Sequence, residues 1–163
     1  MIAQVHELRS VAHRGTALND AAEPSEPRGS QGLVRVRSAY PVRQTIERLR
    51  KEIAAKGIPF FGAIDQARLA ADAGVRVRPS TLLVFGTPSL GAGFLNANPY
   101  AGLDWPVRLL VHQDSVGQVW VAYNDFTWIA RRRGLADCRD QLALAAALVE
   151  SITSTVRDLS RVN

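Results

Sequence analysis

The chain has 163 residues, of which 47% are hydrophobic and 21% charged, a composition typical of a globular protein rather than a disordered or membrane-embedded one. Its most apolar run, residues 142–149, is far shorter than the ~18–20 residues that a membrane span needs. Residues 1–14 lack the apolar stretch of a signal peptide, and the single cysteine, Cys138, cannot form an internal disulfide. These features predict a soluble, cytoplasmic protein.

A net charge of +5 and a pI near 10.1 raise the hypothesis of a nucleic-acid partner. The basic residues are scattered singly, however, apart from the triplet Arg131, Arg132 and Arg133, and only two of them are lysines. This distribution favours a solvated surface, so nucleic acid is not expected as a partner. Weak nucleic-acid binding through the triplet stays as an alternative.

The first 32 residues are predicted to be a flexible leader. Residues 15–32 are rich in Gly, Ala, Pro, Ser and Glu and show no apolar period, so they offer little surface to offset the entropy of ordering. A short helix over residues 2–11 is compatible with the pattern. Residues 33–163 are then expected to form a single folded domain.

The first half of that domain alternates strands and helices. Residues 33–37 alternate apolar and basic side chains, which is typical of a half-buried strand. A helix follows Pro41 with one apolar face and ends at Gly57. Residues 58–64 predict a second strand, which Pro59 restricts to a sheet edge or to its first position. Asp65 is placed to cap a short helix over residues 66–73.

The second half begins with residues 81–85, whose unbroken apolar run predicts a strand covered on both faces. Residues 86–89 form a turn, and residues 91–98 have room for one or two helical turns. Residues 107–112 and 118–123 flank a turn and predict an antiparallel hairpin. Asp125 then caps a helix that ends at Gly134, and an amphipathic helix spans residues 137–160.

The predicted fold class is therefore α+β: a mostly antiparallel sheet with helices packed on it, in the order β-α-β-α-β-(short α)-β-β-α-α. The aromatic side chains supply much of the expected core.

Three segments together resemble a known bacterial family, the domain of unknown function numbered 302. They are Leu-Val-Phe-Gly-Thr-Pro at 83–88, Gly-Leu-Asp-Trp-Pro-Val-Arg at 102–108 and Val-Trp-Val-Ala-Tyr-Asn-Asp at 119–125. The resemblance covers residues 33–160 and implies a compact α+β domain that forms a homodimer and has no assigned activity. Two positions depart from the family pattern: Gln66 stands where a His often follows the Asp, and Phe126 where a Pro is common.

Several kinds of catalytic or cofactor site lack their residues. Zinc needs three or four converging ligands, whereas the domain offers Cys138 and one histidine, His112. The Gly-rich segment 86–93 lacks the lysine of a phosphate-binding loop, and no Gly-x-Ser-x-Gly elbow occurs. No metal and no cofactor are therefore expected.

The most family-like residues lie in loops, where binding residues concentrate. The candidate ligand-binding set is Asp65, Thr87, Asp104, Arg108, His112, Asn124 and Asp125. Structural roles compete for its members: Asp65 and Asp125 have the placement of helix caps, and Asp104 is placed to fix the approach to a strand.

The leading hypothesis is an uncharacterised, homodimeric small-ligand-binding or accessory module. An enzyme that pairs His112 with Asp65, Asp104 or Asp125 is the second hypothesis, which predicts that these side chains converge. Whether the protein is catalytic at all stays open.

Overall fold

The computed structural model describes residues 32–159, so the predicted leader and its short helix lie outside the described residues, apart from Gly32. The strands are β1 (Leu33–Arg37), β2 (Phe60–Asp65), β3 (Ser80–Phe85), β4 (Val107–Gln113) and β5 (Val119–Asn124). The helices are α1 (Val42–Ala55), α2 (Gln66–Asp72), α3 (Pro88–Ala97), α4 (Phe126–Arg133) and α5 (Arg139–Ser154). Short 3-10 helices occupy Pro99–Leu103 and Ala136–Cys138.

The five strands form one antiparallel sheet in the order β1-β5-β4-β3-β2. The predicted α+β class and the predicted hairpin of β4 and β5 are confirmed. β2 lies at an edge and begins at Phe60, directly after Pro59, whose nitrogen cannot donate a ladder hydrogen bond.

Two groups of buried side chains make up the core. The first, which we call the sheet cluster, joins one face of the sheet to α1 and α5 through Val36, Leu49, Ile53, Ile58, Leu83, Phe85, Leu109, Val111, Val119, Val121, Val149, Ile152 and Val156. The second, the helix cluster, joins α3, α4 and the first half of α5 through Phe94, Ala101, Ile129, Leu135, Cys138, Leu142 and Ala145. Cys138 is buried, as expected for a small side chain at a helix start.

One face of the sheet is not covered by any described element. Burial alternates along β3, so that Leu83 and Phe85 are fully buried while Leu82 and Val84 are only partly buried. The prediction that β3 is covered on both faces is therefore wrong. In an antiparallel sheet backed by helices on one side, every second residue faces outward.

Helix α3 is longer than predicted. It begins at Pro88, at the first helical position that proline favours, and runs to Ala97. Its two glycines, Gly91 and Gly93, lower its helix propensity, which is why the sequence suggested only one or two turns.

Helix α5 is shorter than the predicted span of residues 137–160. The hydroxyl groups of Thr153 and Thr155 donate to the carbonyls of Val149 and Ile152, which competes with continued helix. The chain then turns, and the Asp158 N–H donates to the Arg37 carbonyl at 2.9 Å.

A candidate ligand-binding crevice

An apolar crevice opens where the two clusters meet, at the ends of β3 and β4. Its wall is formed by side chains of β3, α3, the 3-10 helix and segment before β4, β4 itself, α4 with the residues after it, and α5. They are Phe85, Leu90, Phe94, Ala101, Trp105, Val107, Phe126, Ile129, Leu135, Leu142, Ala145, Leu148 and Val149, with Gly86, Thr87 and Asp104 at the same recess. The recess encloses about 530 Å³ including its open mouth, but the void inside is only about 20 Å³. That void has room for roughly one water molecule.

Trp105 is the largest side chain at this recess, and two glycines let it approach the backbone. A Cβ on Gly91 would lie 2.1 Å from Cε2 of Trp105, and one on Gly86 would lie 3.0 Å from its Nε1. The edge of the ring also meets Phe61, with centroids 6.3 Å apart and planes at 75°. Because Gly91 is the position where any side chain would collide, it fixes how deeply Trp105 can sit.

Asp104 and Arg133 form an ion pair beside the crevice. The Nε of Arg133 donates to Oδ2 of Asp104 at 2.6 Å, and the two side chains are only 14% and 8% exposed, respectively. Asn98 extends this network, because its Nδ2 donates to the Arg133 carbonyl at 2.7 Å. The pair ties the segment before β4 to α4, so the structural role considered for Asp104 is observed.

A second, more polar crevice lies next to the first. Three of the predicted ligand-binding residues, Asp104, Arg108 and Asn124, line it together with Tyr123. Burial raises the pKa of Tyr123, although its hydrogen bond with the Thr153 hydroxyl opposes that change. Arg108 donates to the Leu103 carbonyl. The structure thus brings Thr87, Asp104, Arg108 and Asn124 to neighbouring recesses.

Asp65 and Asp125 act as the predicted helix caps. Asp65 accepts a hydrogen bond from the Arg68 N–H at 2.9 Å, and Asp125 accepts one from the Trp128 N–H at 2.8 Å. Asp125 follows Asn124 directly, whereas Asp65 lies at the far edge of the sheet, beside α2.

His112 lies near the hairpin end of β4, on the open face, where it pairs in register with Ser80 and Trp120. It is five residues from Val107, about 16 Å along an extended strand, and Asp104 precedes that strand. The register also puts Asp65 beside Thr81, on the face opposite to His112. The predicted convergence of His112 with Asp65, Asp104 or Asp125 is not what the structure shows.

The carboxylate that His112 influences is instead Asp114. Burial tends to raise the pKa of Asp114, but the indole N–H of Trp120, the backbone N–H groups of Gln118 and Val116, and the charge of His112 together hold it below its ordinary value. Trp120 Nε1 donates to Asp114 Oδ2 at 2.8 Å. Asp114 is thus fully engaged in closing the hairpin.

The arginine triplet does not form one basic patch. Arg133 turns inward to Asp104, Arg132 lies over the Trp128 ring with its Cζ 4.9 Å from the centroid, and Arg131 is exposed. Because Arg133 is paired with Asp104, the alternative of nucleic-acid binding through the triplet loses one of its three positive charges.

The described part of the chain contains no group of three His, Cys, Asp or Glu side chains arranged to hold a metal ion. Among residues 32–159, no helix is long and apolar enough to cross a membrane.

Sequence reasoning missed several residues that shape the crevice. Gly91 was expected at the start of one or two helical turns and in the Gly-rich segment 86–93, but its close approach to Trp105 was not foreseen. Arg133 was considered only as part of the triplet, and nothing local in the sequence distinguishes it from Arg131. Phe126, Ile129 and Leu142 carried apolar periodicity, which predicts burial but not the shape of a recess.

Comparisons with known proteins agree on the fold and on the family. The profile of the family described as "Domain of unknown function DUF302" matches residues 34–156. A crystal structure of an uncharacterized conserved DUF302 protein from Bacillus stearothermophilus superposes with a TM-score of 0.70 at 19% identity, covering 78% of this chain and 99% of that one.

Curated relatives come from Brucella. Fluoride-specific ion channel FluC 1 of Brucella suis is 35% identical over 124 residues, which cover 76% of this chain and 48% of that protein. FluC 1 of Brucella abortus is also 35% identical over 124 residues, which cover 76% of this chain and 46% of that protein. The chain thus spans about half the length of the curated relatives it matches.

Proposed function

Because the chain belongs to the DUF302 family, which has no assigned activity, we propose that it is a cytoplasmic accessory domain that binds a small apolar molecule in the crevice beneath Trp105. The observation that carries this proposal is the recess at the junction of the two clusters, which is lined almost wholly by apolar side chains around a void of about 20 Å³. Small-molecule sites are mostly apolar recesses with few polar groups.

The small internal void sets the size and chemistry of the ligand. A void of about 20 Å³ does not hold a ring or an alkyl chain, so binding requires Trp105 or α3 to shift outward. Asp104 and Arg133 neutralise each other's charge, so the crevice offers little net charge to an ionic ligand. A single aromatic ring or a short alkyl chain is therefore the expected ligand class, with Thr87, Asp104, Arg108 and Asn124 at the rim.

Toluene is a suitable probe, followed by amide chemical shifts in ¹H–¹⁵N NMR spectra. We expect saturable shifts in residues 86–94 and 101–105. Ala145→Val fills the crevice and should weaken binding by about tenfold, equivalent to ~1.4 kcal/mol. Ala147→Val adds the same methyl groups at an exposed position of the same helix and should leave the affinity within about twofold. Absence of saturable shifts, or equal weakening by both variants, contradicts the proposal.

We also propose that the protein is a homodimer joined through the open sheet face. Ile64, Leu82, Leu110 and Ala122 stand in one row across four strands by register. The flanking arginines have partners in the same molecule, since Arg35 stacks on Trp120 at 4.3 Å and Arg37 contacts Asp158 at 3.3 Å. An apolar row without unpaired charge is compatible with the same row of a second copy.

Sedimentation equilibrium tests this assembly. Leu110→Asp and, more mildly, Ile64→Lys should convert the dimer to a monomer, because each places a charge in the apolar row. Val116→Asp is the matched control, since Val116 is 87% exposed in the hairpin turn and should leave the dimer intact. A wild-type monomer at tens of micromolar contradicts the dimer without touching the crevice.

The Brucella relatives favour an accessory role beside a membrane channel. The chain matches about half of proteins named as fluoride-specific ion channels, so we propose that the matched half serves the channel function of those proteins and that this chain serves a comparable partner. Deleting the matched 124 residues from the B. suis protein should alter fluoride efflux from vesicles, and inserting this chain should restore it. Unchanged efflux after the deletion contradicts the accessory role.

A further inference from the structure

The basic character of the surface is concentrated in one segment. Residues 41–79 contain eight basic and four acidic side chains, whereas the other described residues contain eight and seven. This segment comprises α1, β2, α2 and the loop that leads to β3. The positive potential of the described molecule therefore lies mainly on the side formed by α1 and α2.

A groove of about 660 Å³ runs between these two helices, at the start of β3. Its floor is largely apolar, with Val42 and Ile46 from α1, Ala67 from α2, and Pro79 and Thr81 from the approach to and start of β3. Its walls carry three arginines, Arg43 and Arg50 on α1 and Arg68 on α2. The volume is that of an ordinary small-molecule site.

Both walls of the groove are held in place. α1 is anchored by Thr45, Leu49 and Ile53, each 0% exposed. The start of α2 is held by the Asp65 cap and by the Ser80 hydroxyl, which donates to Oε1 of Gln66 at 2.6 Å. These contacts hold α1 and the start of α2 before any ligand binds, which reduces the entropic cost of binding.

The two acidic residues of the groove already have partners. Glu47 pairs with Arg43 at 2.9 Å on the same helix, and Asp65 accepts from the Arg68 backbone N–H. The guanidinium of Arg50 lies over the Phe60 ring, 4.9 Å from its centroid, which orients it without neutralising it. Arg50 and Arg68 thus supply positive charge from opposite walls.

We propose that this groove is a second binding site, for a phosphate monoester with an apolar body. The phosphate bridges the guanidinium groups of Arg50 and Arg68, whose planar forks match phosphate geometry. The apolar part lies on Val42, Ile46 and Pro79. The same chemistry is offered by a free alkyl or aryl phosphate and by the head group of a phosphatidic acid lipid.

Hexyl phosphate at pH 8 is the probe, measured by titration calorimetry and by amide shifts at Ile46, Ala67 and Arg68. Arg50→Gln and Arg68→Gln should each weaken binding by about tenfold or more. Arg131→Gln removes the same charge from exposed α4 and should change the affinity by less than about twofold. Ala145→Val, which blocks the apolar crevice, should leave this binding unchanged and so separates the two sites.

Two further probes identify the source of the phosphate. Vesicles of phosphatidylcholine with phosphatidic acid that bind the wild type but not Arg50→Gln assign the site to a lipid head group, while binding of hexyl phosphate alone assigns it to a free ester. Hexanol should produce no shifts at Ile46 or Ala67. The proposal is overturned if neither phosphate probe binds, or if Arg131→Gln weakens binding as much as Arg50→Gln.

Discussion

The sheet cluster and the helix cluster share α5 but differ in their side chains and in the elements that supply them. The sheet cluster consists of branched aliphatic side chains and Phe85, most of them 0–1% exposed, on regular strands and two long helices. The helix cluster contains two alanines, a cysteine and side chains from two 3-10 helices, and the crevice opens against it. Regular elements fill space with large side chains, whereas short elements meet at angles that leave recesses.

The comparison suggests a division between a rigid support and an adjustable site. In the sheet cluster many side chains pack against one another, so no single contact determines the arrangement of the sheet and helices. In the helix cluster a few contacts do so: Trp105 on Gly91, and Arg133 on Asp104. Substitutions in the two clusters should therefore differ in whether they alter stability alone or stability together with the shape of the crevice.

The largest loss of stability is expected from Leu83→Ala in the sheet cluster. Leu83 is 0% exposed in a strand paired on both sides, so its truncation leaves a cavity that the sheet cannot close, at a cost of about 3–5 kcal/mol. Urea denaturation measures the change. Toluene binding by the folded variant should stay as in the wild type; a changed affinity would mean that the two clusters are coupled.

Arg133→Met should cost about 3 kcal/mol, because it leaves the 8%-exposed Asp104 carboxylate without its partner. The double variant Asp104→Leu with Arg133→Met should recover much of that loss, since no uncompensated charge remains. Urea denaturation of both variants gives the comparison. If the double variant is no more stable than the single one, the pair contributes through shape rather than charge. The exposed pair of Arg43 and Glu47 is the control, with an expected effect below about 1 kcal/mol.

Gly91→Ala should cost about 1–3 kcal/mol and also move Trp105, because the new Cβ would overlap the indole ring. Gly93→Ala in the same helix is the matched control, as no atom lies within 4 Å of its Cβ position, and it should be neutral or stabilising. Thermal unfolding measures stability, and tryptophan emission reports exposure of the ring. A red shift in Gly91→Ala alone supports a movable Trp105, while equal behaviour of the two variants contradicts it.

The sequence predicted the parts of this structure that depend on local interactions. Asp65 and Asp125 cap helices and Gly134 ends one with a φ of 62°, because capping depends only on residues a few positions away. The hairpin of β4 and β5 was predictable for the same reason. The apolar run in β3 was misinterpreted as covered on both faces. An apolar pattern shows which side chains favour burial, but it does not show whether another element packs over them.

The candidate site was only partly predictable. Asp104, Arg108 and Asn124 were selected as family-like residues and do share one recess, but their neighbours come from elements far away in sequence. The partnership of Asp104 with Arg133 spans 29 positions, and no local pattern encodes it. His112 was selected for its chemistry alone, and its position was fixed by the hairpin register, which put it beside Trp120.

The smallest predicted effect concerns the hairpin, outside both clusters, and depends on pH. Since the pKa of Asp114 is lower in the folded chain, its ionised form stabilises the fold at neutral pH, and that contribution is lost as the pH falls through the folded-state pKa. Asp114→Asn should therefore be less stable than wild type at pH 7, with the difference shrinking in acid. The Trp120 indole N–H chemical shift should titrate with a midpoint below that of an ordinary aspartate. An ordinary midpoint would show that the Asp114 hydrogen bonds do not favour its charged form, and that this hairpin depends on its turn geometry alone.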